Sequence, residues 1–177
     1  MVLEILILSS LRKGPMHGYE LKQQVQRPTF TRLGNSSLYP ALRRFEHSGA
    51  VTQHIEEQDG KPSRKVYTIT AAGRAELREL IGSLPPELAA NEEEFLVRVG
   101  FFGELTAAER SRVLAARAGV VDAKIAQIIA LIADREPSSA PDDWPARATD
   151  RFLRQLREER GWIEQLSVEN EEQDDDG

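Results

Sequence analysis

The chain has 177 residues, of which 40% are hydrophobic and 29% are charged, with a formal net charge of −6 and no cysteine. This composition is that of an ordinary folded protein, and it excludes a chain that is disordered throughout. The lack of cysteine excludes disulfide bonds and thiolate metal sites, and nothing in the composition points to an oxidising compartment.

The charge is divided unevenly along the chain. Residues 1–75 hold 11 Lys and Arg against 6 Asp and Glu, whereas residues 76–177 hold 12 basic and 23 acidic residues. A basic region within an acidic protein is the part expected to meet a polyanion. The pattern therefore indicates that only the N-terminal part contacts nucleic acid.

The opening segment MVLEILILSSL is apolar, but it carries Glu4 and is too short to span a bilayer. Its basic residues, Arg12 and Lys13, follow the apolar run, whereas in a signal peptide they precede it. We therefore expect this segment to be the first helix of a cytoplasmic protein without a membrane segment.

The N-terminal part is predicted to fold as three helices, two strands and a further helix. The predicted helices lie at about residues 2–12, 17–25 and 36–47, the strands at 50–55 and 64–70, and the last helix after Thr70. This order is that of a winged helix-turn-helix, in which the third helix enters the major groove of DNA and the hairpin lies along the backbone.

The third helix has an outward face that differs from that of an ordinary solvated helix. At about 100° per residue, Leu38, Leu42 and Phe45 share one narrow arc that faces a core. Hydroxyl groups at a helix start can anchor phosphate, and an arginine fork fits guanine O6 and N7. The alternative is a solvated helix whose arginines only keep it soluble. The face opposite the core holds Ser36, Ser37, Pro40, Arg43, Arg44 and His47.

The C-terminal part, after the Pro85-Pro86 pair, is predicted to be all helix. One helix is expected at about 92–103, a second from Thr106 to about Glu136, and a third after Asp143. In the second, apolar residues recur at alternating spacings of four and three, which is typical of helices packed at a shallow angle. We call them the seam residues: Leu114, Ala118, Val121, Ile125, Ile128 and Ile132. Two interpretations stay open: a dimerisation arm, or packing against the final helix of the same chain.

Three segments in order carry a family resemblance: ILSSLRKGPMHGYELKQQV, SSLYPALRRFEHSGAV and GKPSRKVYTITAAGRAEL. They resemble the N-terminal domain of the PadR family of bacterial transcriptional regulators over about residues 3–80. The resemblance implies a mainly α fold with a small β-hairpin: a winged helix-turn-helix followed by a helical dimerisation region. It also implies a homodimer that binds a pseudo-palindromic operator in double-stranded DNA and usually represses. In many members a small, often aromatic, effector releases the DNA.

The resemblance assigns DNA-contacting residues to three places. His17, Gly18 and Tyr19 fall at the start of the second helix. For Tyr19, and for Tyr39 of the third helix, the alternative is that the ring packs between helices. His17 has the alternative of capping its own helix. The remaining positions are Ser36, Ser37, Tyr39, Pro40, Arg43 and Arg44 on the recognition helix, and Lys61, Arg64 and Lys65 on the wing.

The predicted organisation is a DNA-binding domain at residues 1–84, a helical dimerisation domain at 85–168 and an acidic tail at 169–177. The sequence has none of the common nucleophile, phosphate-loop or metal-ligand motifs, so neither an enzyme nor a cofactor or metal site is predicted. The alternative function is a winged-helix adaptor that binds protein instead of DNA. Trp144 and Trp162 could stack on a planar effector, or could simply pack.

Overall fold

The computed structural model describes residues 1–26, 37–58, 61–134 and 143–175, except for the side chains of residues 58, 61, 62 and 173–175. The chain divides into two compact units. The N-terminal unit comprises Met1–Ser83 and Leu96–Glu104, and the C-terminal unit comprises Leu84–Phe95 and the residues from Leu105 onward.

The N-terminal unit is a winged helix-turn-helix, as predicted. Its described strands form one antiparallel sheet in the order β1-β3-β2. The helices and strands are α1 (Val2–Arg12), β1 (Met16–His17), α2 (Gly18–Gln26), α3 (Leu38–Ser48), β2 (Val51–Gln58), β3 (Lys61–Ile69) and α4 (Ala71–Gly82).

Helix α1 forms the centre of this unit, because its apolar run is buried on almost all sides. Ile5, Leu8 and Leu11 are at most 1% exposed, and Leu21 of α2 and Leu42 of α3 are buried to the same degree. Burying one such side chain contributes about 1.5–3 kcal/mol. The apolar opening segment is therefore the first helix, as predicted, and it forms the core of the domain.

The second helix begins one residue after the predicted position near His17, and a short strand that was not predicted precedes it. Met16 and His17 form β1, which pairs with Tyr67 and Val66 of β3, and α2 begins at Gly18. A strand of two residues shows no periodicity of its own, so its partner decides its conformation. The wing is therefore part of a three-stranded sheet and not an isolated hairpin.

Helix α3 begins and ends close to the predicted residues. Ser37 is its N-cap residue, and Gly49 ends it in the left-handed region with φ 76°. Glycine adopts this conformation at little cost, which explains why the helix stops there. The residues that point to the core are those of the predicted arc, with Ala41 beside them.

Gly73, in the first turn of α4, lies against the backbone of the turn before β2. The Thr70 hydroxyl accepts a hydrogen bond from Gly73 N at 3.1 Å and donates to Gly49 O at 2.7 Å. A Cβ atom on Gly73 would overlap the Ala50 carbonyl oxygen and lie 2.8 Å from Ile69 Cγ1. Only glycine fits this approach without displacing backbone.

We expect Gly73→Ala to lower the free energy of unfolding by about 1–3 kcal/mol, the usual cost of overpacking. Urea unfolding followed by circular dichroism measures this change. Gly119→Ala is the matched control, because a Cβ at Gly119 of the long helix meets nothing within 4 Å. That variant should gain about 0.5–1 kcal/mol from helix propensity. Equal stability of Gly73→Ala and the parent would contradict the close approach.

The C-terminal part of the chain is helical, with two differences from the predicted bounds. A short helix α5 (Pro86–Ala89) forms at the predicted proline junction, because Pro86 stands in its first turn, where a missing N–H is harmless. The helix expected at 92–103 is instead α6 (Glu92–Val99), followed by a 3-10 turn at Phe102–Glu104.

Two long helices complete the chain, α7 (Ala107–Ala133) and α8 (Trp144–Asp175). A capping box begins α7, with Thr106 and Glu109 bonded reciprocally. Asp143 accepts a hydrogen bond from Ala146 N at 3.0 Å at the start of α8. Residues 169–175 of the predicted acidic tail continue α8. The division into a DNA-binding and a dimerisation domain concerns function and stays a prediction.

The seam residues of α7 are largely covered by α8 of the same chain. Leu114, Val121 and Ile128 are buried, as are Leu156 and Ile163 of α8. Packing against the final helix therefore accounts for these seam residues. Ala118 and Ile125 are half-buried, and Ile132 is 46% exposed.

Candidate nucleic-acid interface

An open cleft joins the start of α2, the first turn of α3 and strand β3. Its volume is about 560 Å³. Residues that were predicted to contact DNA from three separate segments of the sequence thus lie together in one cleft. Their spacing in the sequence did not show that they would be neighbours. The cleft is lined by His17, Gly18, Tyr19, Glu20, Tyr39, Arg64, Lys65 and Tyr67.

Helix α3 packs closely on the start of α2 through Tyr39. A Cβ on Gly18 would lie 3.4 Å from Tyr39 Cε1 and 3.5 Å from Tyr67 Cε2, so a glycine lets the two rings approach the helix end. Tyr39 is nevertheless 46% exposed, and Tyr19 is 70% exposed. Tyr39 therefore both packs and faces solvent, whereas Tyr19 does not pack between helices.

Tyr67 belongs to the cleft although the sequence gave no reason to select it. It is 3% exposed and lies on β3 opposite Met16 of β1. Burial raises the pKa of the Tyr67 phenol, and the nearby Glu46 carboxylate and Tyr39 raise it further.

His17 lies in the cleft wall with its two ring nitrogens in different surroundings. Its Nε2 is 3.4 Å from Glu56 Oε2, and its Nδ1 is buried without a hydrogen-bond partner among the described residues. Neither nitrogen caps α2, so the alternative of a capping histidine is not what the structure shows.

The exposed face of α3 carries further residues that were predicted to lie opposite the core, and these do not line the cleft. Ser37, Pro40 and Arg43 are exposed, as is His47 one turn later. Ser36 lies outside the described residues. Within the described chain Arg43 forms no ion pair, whereas Arg44 Nη2 donates to Glu4 Oε1 at 2.7 Å. The two neighbouring arginines therefore differ in a way that the sequence did not indicate.

The wing presents cations beside acids. Arg64 and Lys65 are exposed on β3, while the side chain of Lys61 lies outside the described part. Glu56 stands opposite Arg64 in the ladder and turns its carboxylate toward His17.

The described ranges hold no group of three or more His, Cys, Asp or Glu side chains that could bind a metal ion. Nor does any helix in those ranges combine the length and apolar character needed to cross a membrane.

Comparison with known proteins shows a family match for the residues that form this cleft. Residues 7–79, which include the start of α2, all of α3 and the wing, match the model of the Transcriptional regulator PadR-like family. This match assigns residues 7–79 of the chain to the PadR-like family and indicates a transcriptional regulator. The family resemblance of the three sequence segments is confirmed.

The likeness to Bacillus subtilis PadR extends over nearly the whole chain. This negative transcriptional regulator is 26% identical over 173 residues, which are 93% of this chain and 95% of the relative. Its crystal structure in complex with operator DNA has a TM-score of 0.46 at 24% identity and covers 96% of this chain and 99% of that one. Its complex with p-coumaric acid has a TM-score of 0.41 at 24% identity, covering 96% of each chain.

Proposed function

We propose that this PadR-like regulator binds operator DNA through α3, the start of α2 and the wing. The observation that carries the proposal is the cleft, which joins these three elements and is bordered by the exposed cations of β3. The positive balance of residues 1–75, against the acidic remainder of the chain, supports the same surface.

Each element has a distinct task in this proposal. The exposed Arg43 on α3 reads a guanine in the major groove through its planar fork of donors. The first N–H groups of α2, at Gly18 and Tyr19, have no acceptor within their helix and bind a backbone phosphate. Arg64 and Lys65 bind further phosphates along the wing.

The regulator acts as a homodimer on a pseudo-palindromic operator, with two copies of α3 about 34 Å apart. Exposed apolar side chains of the C-terminal unit support this part of the proposal. Ile132, at the end of the seam residues, is 46% exposed, and Ile129 and Leu131 beside it are 45% and 63% exposed. Such residues stabilise a protein when a second copy covers them.

The direction of control is repression, and a small aromatic effector releases the DNA. Bacillus subtilis PadR is described as a negative regulator, and its structure includes a complex with p-coumaric acid. Trp144 is 65% exposed at the start of α8 and Trp162 is 37% exposed within it. An exposed indole ring offers a stacking surface for a planar ligand.

The test is a mobility shift of the DNA upstream of the protein's own gene, at two salt concentrations with excess competitor DNA. We expect a competitor-resistant shift that weakens with salt, because each neutralised phosphate contributes about 0.9 to the slope of log affinity against log salt. Sedimentation of the same complex should give two chains per duplex. A failure to bind this fragment and a pool of genomic fragments at low salt would contradict the proposal and favour the adaptor function.

A further inference from the structure

We propose that Glu4 of α1 holds Arg44 away from DNA, so that of the two adjacent arginines on the recognition helix only Arg43 contacts the duplex. The inference rests on the proposed DNA-binding function and changes the role of one of its residues. Its basis is the ion pair between Glu4 and Arg44 within the N-terminal unit.

The pair has the geometry of a charge-assisted hydrogen bond. Arg44 Nη2 lies 2.7 Å from Glu4 Oε1, within the range of strong N⁺–H···O⁻ bonds. The side chain of Glu4 is 25% exposed, so its position is limited by the packing of α1, while that of Arg44 is 62% exposed. The less mobile carboxylate therefore determines where the guanidinium lies.

The neighbouring arginine has no such restraint. Arg43 is exposed and forms no ion pair with any residue of the described chain. A phosphate must compete with a carboxylate for Arg44, whereas Arg43 meets DNA without breaking an ion pair. The other oxygen of Glu4, Oε2, lies 3.8 Å from the Met1 nitrogen and leaves Oε1 to Arg44.

Glu4 is consequently a determinant of affinity, although it does not touch DNA. With Arg44 held back, Arg43 is the arginine of α3 that has no ion pair among the described residues, and discrimination depends on the base that Arg43 meets. Release of Arg44 would add a phosphate contact that carries no sequence information. Every duplex, operator or not, would then bind more tightly.

The experiment measures the binding of a labelled duplex of unrelated sequence by fluorescence anisotropy, from about 50 to 200 mM salt. Glu4→Gln removes the charge and should raise affinity about two- to fivefold and steepen the log–log salt slope by up to about 0.9. Glu79→Gln is the matched control: it changes net charge equally, but Glu79 is exposed on α4 and has no contact with Arg44. It should change affinity less than Glu4→Gln and leave the slope unaltered.

A double variant separates release of Arg44 from a general change of charge. If Glu4 acts through Arg44, then Glu4→Gln has no larger effect than Glu79→Gln when Arg44 is already Gln, and Arg44→Gln alone stays within about twofold of the parent. Urea unfolding of each variant checks that α1 remains folded. A gain that persists without Arg44, or a Glu4→Gln protein that behaves like Glu79→Gln, would overturn the inference. If the parent protein itself does not bind DNA, both this inference and the proposed function are contradicted.

Discussion

Replacing the buried Arg117 with alanine should lower the free energy of unfolding by about 3–5 kcal/mol. Arg117 is 3% exposed, and its Nε donates to Glu159 Oε1 at 2.6 Å while Nη1 donates to Ala89 O at 2.8 Å. Its guanidinium also lies 5.8 Å from the centre of the Phe95 ring. The substitution leaves the Glu159 carboxylate, 15% exposed, without its counter-charge. Such an uncompensated charge is the reason for the large cost.

The control for Arg117→Ala is a second arginine that joins the same two helices. Arg160 pairs with Asp122 at 2.9 Å, but the two side chains are 35% and 54% exposed. Exposed ion pairs contribute about 0–1 kcal/mol, so Arg160→Ala should cost no more than that. Urea unfolding of both variants measures the difference. Equal costs would show that Arg117 is not the interior cation that its contacts indicate.

The second large effect concerns DNA. Arg43→Ala should weaken operator binding by about 1–3 kcal/mol, the usual value of a base contact made by an arginine. The loss should depend on the base sequence, because a base contact discriminates and a phosphate contact does not. Mobility shifts with the operator and with single-base variants of it measure both the loss and its dependence on sequence.

Arg112→Ala is the control for Arg43→Ala, because Arg112 is an exposed arginine of α7 with no predicted contact to DNA. It removes the same charge and should leave operator affinity nearly unchanged. If Arg43→Ala binds as tightly as the parent, α3 is not the helix that reads the operator. If both substitutions weaken binding equally on every sequence, the effect is one of overall charge.

The buried face and the end of α3 were predicted correctly because they depend on residues within the helix or next to it. The period of Leu38, Leu42 and Phe45 defines the inner face, and Gly49 defines the end. Strand β1 could not be predicted in the same way, since two residues carry no period and their pairing partners lie about fifty positions later. The charge of residues 1–75 predicts which part of the chain faces DNA, but it does not show which of its arginines forms an ion pair.

The features that could not be predicted depend on contacts between residues that are distant in the sequence. In sequence Arg43 and Arg44 are equivalent, and only the position of Glu4 on α1 separates them. Arg117 lies three residues after Leu114 and four before Val121, so it is on the inward face of α7. A cation at such a position signals a buried pair, yet nothing in the sequence names Glu159 as its partner. Tyr67 likewise acquires its place in the cleft only when β1 pairs with β3.

The pairing of β1 with β3 has a consequence for the shape of the DNA that the protein can accept. Strand β1 leads directly into Gly18, and β3 carries Lys65, so the proposed phosphate contacts of α2 and of the wing stand on neighbouring strands. Backbone hydrogen bonds hold neighbouring strands about 4.8 Å apart, and this distance varies far less than the positions of exposed side chains do. In the proposed complex, the sheet thus fixes the distance between these two phosphate-binding groups. A DNA backbone whose neighbouring phosphates do not match the positions of these two groups would lose one of the proposed contacts, so base pairs that no side chain touches would affect affinity through the backbone shape they impose.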